Sequence, residues 1–155
     1  MKSYLVSLLI ICLMSSILAA GDFLTDSMIG QWEGTGKIIV TWCEQDSLPV
    51  DIWIDENGIV TGKVGDAEIT AGILRLNGVI LRMLGNSRYI IDLELSGPLV
   101  EEEQITRSGG KLLLDFENDA FSGGFHSSGS KFGGKEKMVM TVVNLKLKKR
   151  IDSNQ

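Results

Sequence analysis

The sequence predicts an all-β protein, an antiparallel up-and-down meander that closes into a small barrel of eight to ten strands behind a signal peptide. Two observations support this fold class. Short segments alternate between apolar and polar residues, as in Val50–Asp55, and Asn-Gly, Gly-Asp and Asn-Asp pairs separate such segments at even spacing. These pairs favour tight reversals between strands. A meander of this many strands tends to close, because closure removes exposed edges.

The N-terminus has the layout of a secretory signal. Lys2 precedes an almost wholly apolar run from Tyr4 to Leu18, and Ala19-Ala20 offers a cleavage site after Ala20. The run of about 15–17 residues is shorter than the roughly 20 that span a bilayer. We therefore predict an exported protein, typical of bacteria, that is periplasmic or extracellular and has no stable membrane insertion after cleavage. The alternative is an uncleaved N-terminal anchor.

The remaining chain is long enough for one domain. We predict a signal peptide over residues 1–20, a single β-barrel domain over residues 21–150 and a disordered tail over residues 151–155. The net charge of −5 excludes a typical nucleic-acid binder, since phosphate neutralisation needs concentrated positive charge. Basic residues are concentrated in residues 111–150, which favours a basic edge on an acidic body.

In the first half of the domain, Val50–Asp55 and Ile59–Val64 flank Asn57-Gly58 and predict a hairpin. Gly65-Asp66 predicts the next turn, and Ala67–Leu76 the next strand. We expect Asn77-Gly78 to turn into a further strand over Val79–Leu84. A helix over residues 73–84 is the rival interpretation, which the central Asn-Gly opposes.

The second half continues the pattern. Tyr89, Ile91, Leu93 and Leu95 share one face of a predicted strand. A weaker edge strand is expected over Leu99–Thr106, followed by a turn at Ser108–Gly110. The remaining predicted strands are Lys111–Glu117, Ala120–Ser127 after an Asn118-Asp119 turn, and Met138–Lys148 with leucines inward and lysines outward.

Cysteine and histidine are too scarce for most site chemistries. Cys43 is the one cysteine left after cleavage, so no internal disulfide forms, and its apolar surroundings predict a buried, inert thiol. With a single histidine, His126, the sequence contains no recognisable metal site and implies no cofactor.

Gly30-Gln31-Trp32 resembles the Gly-x-Trp motif on the first strand of the calycins, the superfamily of lipocalins, fatty-acid-binding proteins and avidins. The resemblance implies that Trp32 closes the lower end of an up-and-down barrel. It also implies that a basic residue after the last strand, Lys149 or Arg150, packs across the indole ring. Paired cysteines and a Thr-Asp-Tyr-like motif, which lipocalins carry, are absent.

The glycine-rich stretch Phe121–Lys137 imitates a phosphate-binding loop at Gly129–Lys135. Glu136 stands where that motif needs a hydroxyl, and a strand-like segment follows where a helix is required. Catalysis would need His126 as a base with Ser127 or Ser128 as nucleophile and Asp119 as orienting acid. We expect His126 to lie on the solvent face of a strand, and we assign no catalytic residue.

Part of this stretch, Ser128-Gly129-Ser130-Lys131-Phe132, resembles the Ser-Gly-x-Lys-aromatic loop of periplasmic inhibitors of c-type lysozyme, in which a serine and a lysine enter the enzyme cleft. The resemblance implies that Ser128 and either Lys131 or Lys135 contact the partner, and His126 in the same stretch is a further candidate of this partner-binding loop. A plain turn, with glycines for tight backbone and lysines for solubility, is the simpler interpretation.

Three functions follow in order. The first is a non-enzymatic exported protein that binds a small apolar or amphipathic molecule inside the barrel. The second is an interaction module that presents residues 121–137 to an extracytoplasmic protein, and the third is a hydrolase that uses His126. An empty apolar cavity above about 300 Å³ would favour the first function. Its candidate lining residues are Trp42, Trp53, Phe121, Phe125, Met138 and Met140.

Overall fold

A computed structural model of the chain describes residues 23–85, 87–100, 106–131 and 136–150. The predicted signal peptide and the tail at residues 151–155 lie outside the described residues. Among these residues there are two short helices, a 3₁₀ turn at Asp26–Met28 and the α-helix α1 at Val79–Met83. The strands are β1 (Gly30–Ile38), β2 (Ser47–Ile54), β3 (Val60–Val64), β4 (Ala67–Leu76), β5 (Tyr89–Ser96), β6 (Thr106–Glu117), β7 (Ala120–Lys131) and β8 (Glu136–Lys149).

The eight strands form one closed antiparallel barrel. Each strand pairs with the next along the chain, and β1 pairs with β8 to close the sheet, with Trp32 opposite Lys149 and Ile38 opposite Val142. The predicted all-β meander and its closure are therefore confirmed. The lower end of the barrel holds the start of β1, α1 and the β6–β7 turn, while the upper end holds the β3–β4 turn and the segment after β5.

Alternating hydrophobicity explains which side chains point inward. In β2 every second residue is buried, including Ile52 and Ile54, and the intervening residues face solvent. The four β5 side chains predicted to share a face, Tyr89, Ile91, Leu93 and Leu95, are all buried. On β8 the leucines Leu145 and Leu147 are inside and the lysines between and after them are exposed, as predicted.

The predicted turns have physical support. Asn118 and Asp119 both adopt positive φ, at 52° and 55°, as a tight two-residue hairpin requires. Gly58 (φ 76°) and Gly65 (φ 59°) supply the same conformation between β2 and β3 and between β3 and β4. The Asp55 carboxylate accepts hydrogen bonds from the backbone N–H groups of residues 57 and 59, each at 2.8 Å, and so stabilises the first of these turns.

The predicted strand over Val79–Leu84 is wrong. β4 ends at Leu76, which pairs directly with Tyr89 at the start of β5. The position beside β4 is therefore already occupied, and the intervening segment is a connection that contains α1. The rival helix is correct for its second half alone, since residues 73–76 remain in β4.

The predicted turn at Ser108–Gly110 is also wrong, because β6 runs unbroken from Thr106 to Glu117. The glycines belong to a β-bulge, where the register with β7 shifts between Arg107 and Gly110. A Cβ at Gly110 would lie 2.6 Å from the Phe125 ring, so glycine is required there for close packing. Of the predicted edge strand over Leu99–Thr106, Leu99 and Val100 are buried outside any strand, and residues 101–105 lie outside the described residues.

Both ends of the barrel interior are covered. At the lower end Trp32, Phe116, Tyr89 and Phe121 form an aromatic cluster, with the Trp32 and Phe121 ring centroids 4.7 Å apart. At the upper end Leu99 is fully buried, and its carbonyl oxygen accepts the Asp66 N–H at 3.2 Å. The core thus extends from end to end of the barrel. None of the helices in the described part of the chain is long and apolar enough to cross a membrane.

Candidate functional site

The side chains predicted to line an internal ligand site are distributed over three environments. Phe121, Phe125 and Met140 point inward but are at most 1% exposed, so they serve the core and offer no surface to a ligand. Trp53 does not line the interior, since it is 50% exposed on the outer face, where the alternation of β2 places it between two inward isoleucines. The side chain of Met138 lies outside the described residues.

Trp42 is half-buried in the connection that follows β1. Its indole Nε1 donates a hydrogen bond of 3.3 Å to the Val139 carbonyl oxygen. The Arg107 guanidinium lies 5.8 Å from the centroid of its ring, which allows a cation–π contact. This ring therefore packs against the core beside β6 and β8.

A groove of about 510 Å³ lies on the outer face of the barrel. It crosses strands β4 to β7 at mid-height and is open to solvent. Its lining residues are Ala71, Gly72, Ile73, Asp92, Leu93, Glu94, Ser108, Gly109, Gly110, Lys111, His126, Ser127 and Ser128. It combines acidic, basic, hydroxyl and apolar groups and is the candidate functional site.

The pairing register of the four strands β4 to β7 determines which side chains form the floor and one rim of this groove. Ile73 lies opposite Asp92, Asp92 opposite Lys111, and Lys111 opposite His126, so these four side chains form one outward row. In the next row towards the upper end, Ala71 and Glu94 are neighbours, and Gly109 lies opposite Glu94 without a side chain. Apart from Glu94, the positions of this second row have a small side chain or none. The depression forms because the side chains of the first row are larger.

The bulge in β6 is fixed by a buried residue of β7. Ser127 Oγ donates a hydrogen bond of 2.6 Å to the Gly109 carbonyl oxygen, and Arg107 Nη1 donates one of 3.0 Å to the Ser127 carbonyl oxygen. Both Arg107 and Ser127 are buried. Because buried polar groups in a low dielectric hold their geometry strongly, the backbone under the groove is rigid.

Charges in the groove are only partly compensated. Asp92 contacts Arg75 Nε at 2.5 Å and Lys111 Nζ at 3.3 Å. The hydrogen bond from Arg75, supported by Lys111, lowers the pKa of the Asp92 carboxyl from 3.8, against an opposing effect of burial. Among the described residues Glu94 has no ion pair, so its carboxylate is available to a ligand.

Two of the residues predicted for a partner-binding loop lie in this groove. His126 and Ser128 are exposed on β7, which continues to Lys131, so they belong to a strand and not to a loop. His126 Nδ1 lies 3.4 Å from Thr141 Oγ1. Lys135 lies outside the described residues, as does the side chain of Lys131.

The candidate catalytic group is not assembled. Asp119 lies in the turn at the lower end of β7, seven residues from His126, which is about 23 Å along a strand. The Ser127 hydroxyl is buried and bonded to the Gly109 carbonyl oxygen, so it faces away from His126. In the described part of the chain, no group of three or more His, Cys, Asp or Glu side chains could hold a metal ion.

Cys43 differs from the sequence prediction of a buried thiol. It is half-buried in the connection between β1 and β2, and its Sγ lies 3.6 Å from the Gln45 carbonyl oxygen. β1 ends at Ile38, so the apolar run that contains Cys43 does not continue as a strand. This explains its partial exposure.

The Gly-x-Trp motif builds a corner at the lower end. Trp32 is fully buried, and its Nε1 donates a hydrogen bond of 2.8 Å to the Met28 carbonyl oxygen. Of the two basic residues that the resemblance offered, Lys149 lies over the ring, 5.9 Å from its centroid. Arg150 instead pairs with Glu33 at 3.8 Å. Gly30 has a φ of 129°, a backbone conformation that residues with a side chain rarely adopt, which explains the glycine.

The fold and the groove define a class: a small closed antiparallel β-barrel with a tightly packed core, compatible with a calycin-like fold. No protein-family model, curated protein or solved structure matches the chain.

Proposed function

We propose that the chain is an exported, non-enzymatic binding protein that holds a segment of an extracytoplasmic protein in the outer groove of β4–β7. The observation that carries this proposal is the contrast between the two faces of the sheet. Inward side chains such as Phe125 and Met140 are fully buried, whereas the outward groove offers about 510 Å³ lined by charged, hydroxyl and apolar groups. A ligand that follows the groove would meet side chains of four strands.

The charges suggest what the partner segment contains. Glu94 favours a basic side chain, while Lys111 on the next strand and His126 two strands away, at roughly 10 Å, favour an acidic or hydroxyl group. Ile73 adds an exposed apolar contact at one end of the groove. A mixed surface of this kind recognises an extended peptide better than a lipid tail, because a lipid tail pairs with none of the charges.

Export and family are proposed on sequence grounds. The residues before Ala20 have the layout of a secretory signal, and the buried Gly30–Trp32 corner with Lys149 over the indole supports a calycin-like assignment. The lysozyme-inhibitor-like alternative would use Ser128 and the lysines near it. It is a special case of the same surface, with an enzyme as the partner.

The test uses a photo-crosslinking amino acid at Ser128 in the producing cell. Ser122 is the matched control, because it is also an exposed serine on the outer face of β7 but lies outside the groove. We expect a discrete protein adduct at position 128 and none at position 122. A Ser128→Trp variant should then abolish binding of the captured segment in calorimetry, while Ser122→Trp leaves it unchanged.

The outcomes separate the candidate functions. Equal adducts at both positions, or none, would refute the groove as the binding site. Capture of a c-type lysozyme, with loss of its inhibition in Ser128→Trp, would favour the inhibitor-like function. Hydrolysis that disappears in His126→Ala would instead indicate an enzyme.

A further inference from the structure

Three apolar side chains of the helix α1, and that of Leu84 directly after it, are exposed to solvent. Val79, Ile80, Met83 and Leu84 are 57%, 74%, 82% and 73% exposed, respectively. They are neighbours on one short protrusion at the lower end of the barrel. Clustered exposed apolar side chains of this size mark a surface that another phase or molecule covers.

The protrusion is a built feature of the fold. Asn77 is buried and closes the base of the connection, since its Nδ2 donates to the Ser87 carbonyl oxygen at 2.9 Å and its N–H to the Arg88 carbonyl oxygen at 2.8 Å. Arg82 is half-buried, and its Nε is buried without a hydrogen bond. The charged residue is thus turned in and the apolar residues are turned out, which is the reverse of a normal surface helix.

The charge of this connection is positive, although the whole chain has a net charge of −5. Between residues 77 and 88 the charged residues are Arg82 and Arg88, and there is no acid. Other turns at the lower end carry Glu56 and Asp119, so apolar insertion has to supply most of any binding energy, and the exposed Arg88 adds affinity for anionic groups.

The chain enters the barrel at this same end. The 3₁₀ turn Asp26–Met28 precedes β1, and Lys149 Nζ donates a hydrogen bond of 3.1 Å to the Ser27 carbonyl oxygen there. The apolar run of residues 4–18 therefore connects to the end of the barrel that carries α1.

We infer that α1 docks into the interfacial region of a lipid bilayer, so that the lower end of the barrel rests on a membrane. A five-residue helix is small for a protein interface, which needs roughly 800 Å² from each partner. An exposed apolar tip with the exposed Arg88 at the end of the same connection fits the headgroup–acyl boundary, which deforms around it. This inference does not depend on the groove, which lies on the side of the barrel.

The test places a nitrobenzoxadiazole fluorophore on α1 through Met83→Cys, with Cys12 and Cys43 replaced by serine. The protein is purified as the producing cell processes it and is mixed with vesicles of phosphatidylcholine, with or without phosphatidylglycerol. Probes at Glu56→Cys, on another lower-end turn, and at Asp66→Cys, at the upper end, are the controls, since neither residue is buried.

We expect a blue shift and quenching by spin-labelled acyl chains for the probe at position 83, stronger with phosphatidylglycerol, and neither effect at positions 56 and 66. The pair Ile80→Ser and Leu84→Ser should abolish the shift. Ile39→Ser with Val139→Ser, which removes exposed apolar side chains elsewhere, should preserve it.

Three results would overturn the inference. The first is a probe at position 83 that emits as in water when the protein is bound to vesicles. The second is a blue shift without vesicles that grows with protein concentration, which would make a second copy of the chain the occupant of this surface. The third is a blue shift without vesicles that is independent of concentration, which would assign the surface to the N-terminal segment of the same chain.

Discussion

At the scale of single residues, the fold depends on buried side chains that pack through their rings and also form hydrogen bonds with their polar atoms. Trp32 fills the lower end of the barrel, donates to the Met28 carbonyl oxygen and packs edge-on against Phe116 and Phe121. The Lys149 ammonium group completes the arrangement above the ring. Removing the indole would therefore leave a cavity and an unpaired carbonyl at the same time.

We expect Trp32→Ala to lower the free energy of unfolding by about 3–5 kcal/mol, the usual range for a buried large aromatic residue. Trp53→Ala is the control, and because its side chain is half-exposed the loss should stay below about 1.5 kcal/mol. Urea denaturation followed by circular dichroism measures both. Similar losses for the two variants would contradict the buried role of Trp32.

The ion pairs of Asp92 predict a pH dependence. Arg75 and Lys111 lower the pKa of this carboxyl in the folded state below its ordinary value of 3.8. The resulting stabilisation is fully present above pH 3.8 and is lost as the pH falls through the folded-state pKa. The stability difference between wild type and Asp92→Asn should therefore be constant near neutral pH and shrink below pH 3.8. A difference that grows on acidification would reverse the sign of this argument.

At the scale of elements, the seam between β1 and β8 decides whether the sheet closes. Gly34 lies opposite Leu147 in this seam. A Cβ at that position would overlap the backbone carbonyl of Lys146, and backbone cannot move aside as a flexible side chain can. The glycine therefore permits the two strands to approach.

We expect Gly34→Ala to cost at least about 2 kcal/mol of stability, as strained substitutions at packed backbone do. Gly78→Ala is the matched control, since an added Cβ there would have no atom within 4 Å and the φ of Gly78 is not positive, and its effect should stay within about 0.5 kcal/mol. Thermal unfolding and hydrogen exchange of the β1 amides measure the difference. Equal melting temperatures would show that the seam tolerates a side chain.

Elements with a strong local pattern could be predicted from the sequence. The strand Ala67–Leu76 has the predicted bounds, and the Asn118-Asp119 turn lies where its residue types place it. The structure of the segment Val79–Leu84 could not be predicted in this way. A short apolar run indicates a strand, and the sequence does not reveal that β5 already occupies the edge of β4. The sequence of Ser108–Gly110 predicts a turn, because glycines are common both in turns and in β-bulges.

The groove could not be predicted from the sequence for a related reason. It depends on the alignment of Asp92, Lys111 and His126 across three strands, and a slip of one residue would turn any of them to the other face. The sequence draws attention to His126 because it is the single histidine and to Ser128 because it belongs to a motif. Neither signal reveals which side chains lie next to these residues in the fold. The glycine pair Gly109-Gly110 was the available signal, since glycine inside a strand often marks a close backbone approach.

At the scale of the whole molecule, the faces of the barrel have different properties. The interior is packed, the side at β4–β7 carries a groove lined by charged, hydroxyl and apolar groups, and the lower end projects an apolar helix. If both proposals hold, the barrel rests with its lower end on a membrane and presents the groove sideways to a partner in the aqueous phase. The closed sheet gives both surfaces a rigid common frame, because it has no free edge to fray.

The packed interior makes a prediction about small ligands. Dodecanoic acid, an amphipathic ligand of the kind expected for a hollow barrel, should not raise the melting temperature of the wild-type protein, because side chains such as Phe125 already fill the space. Phe125→Ala should lose about 3–5 kcal/mol and leave an apolar cavity. Dry cavities of this kind bind benzene, so benzene should raise the melting temperature of the variant by a few degrees and leave wild type unchanged. Ser122→Ala, an exposed change on the same strand, should respond as wild type does. Stabilisation of the wild-type protein by dodecanoic acid would mean that the barrel opens to admit a ligand, and the groove would then have to share the function with the interior.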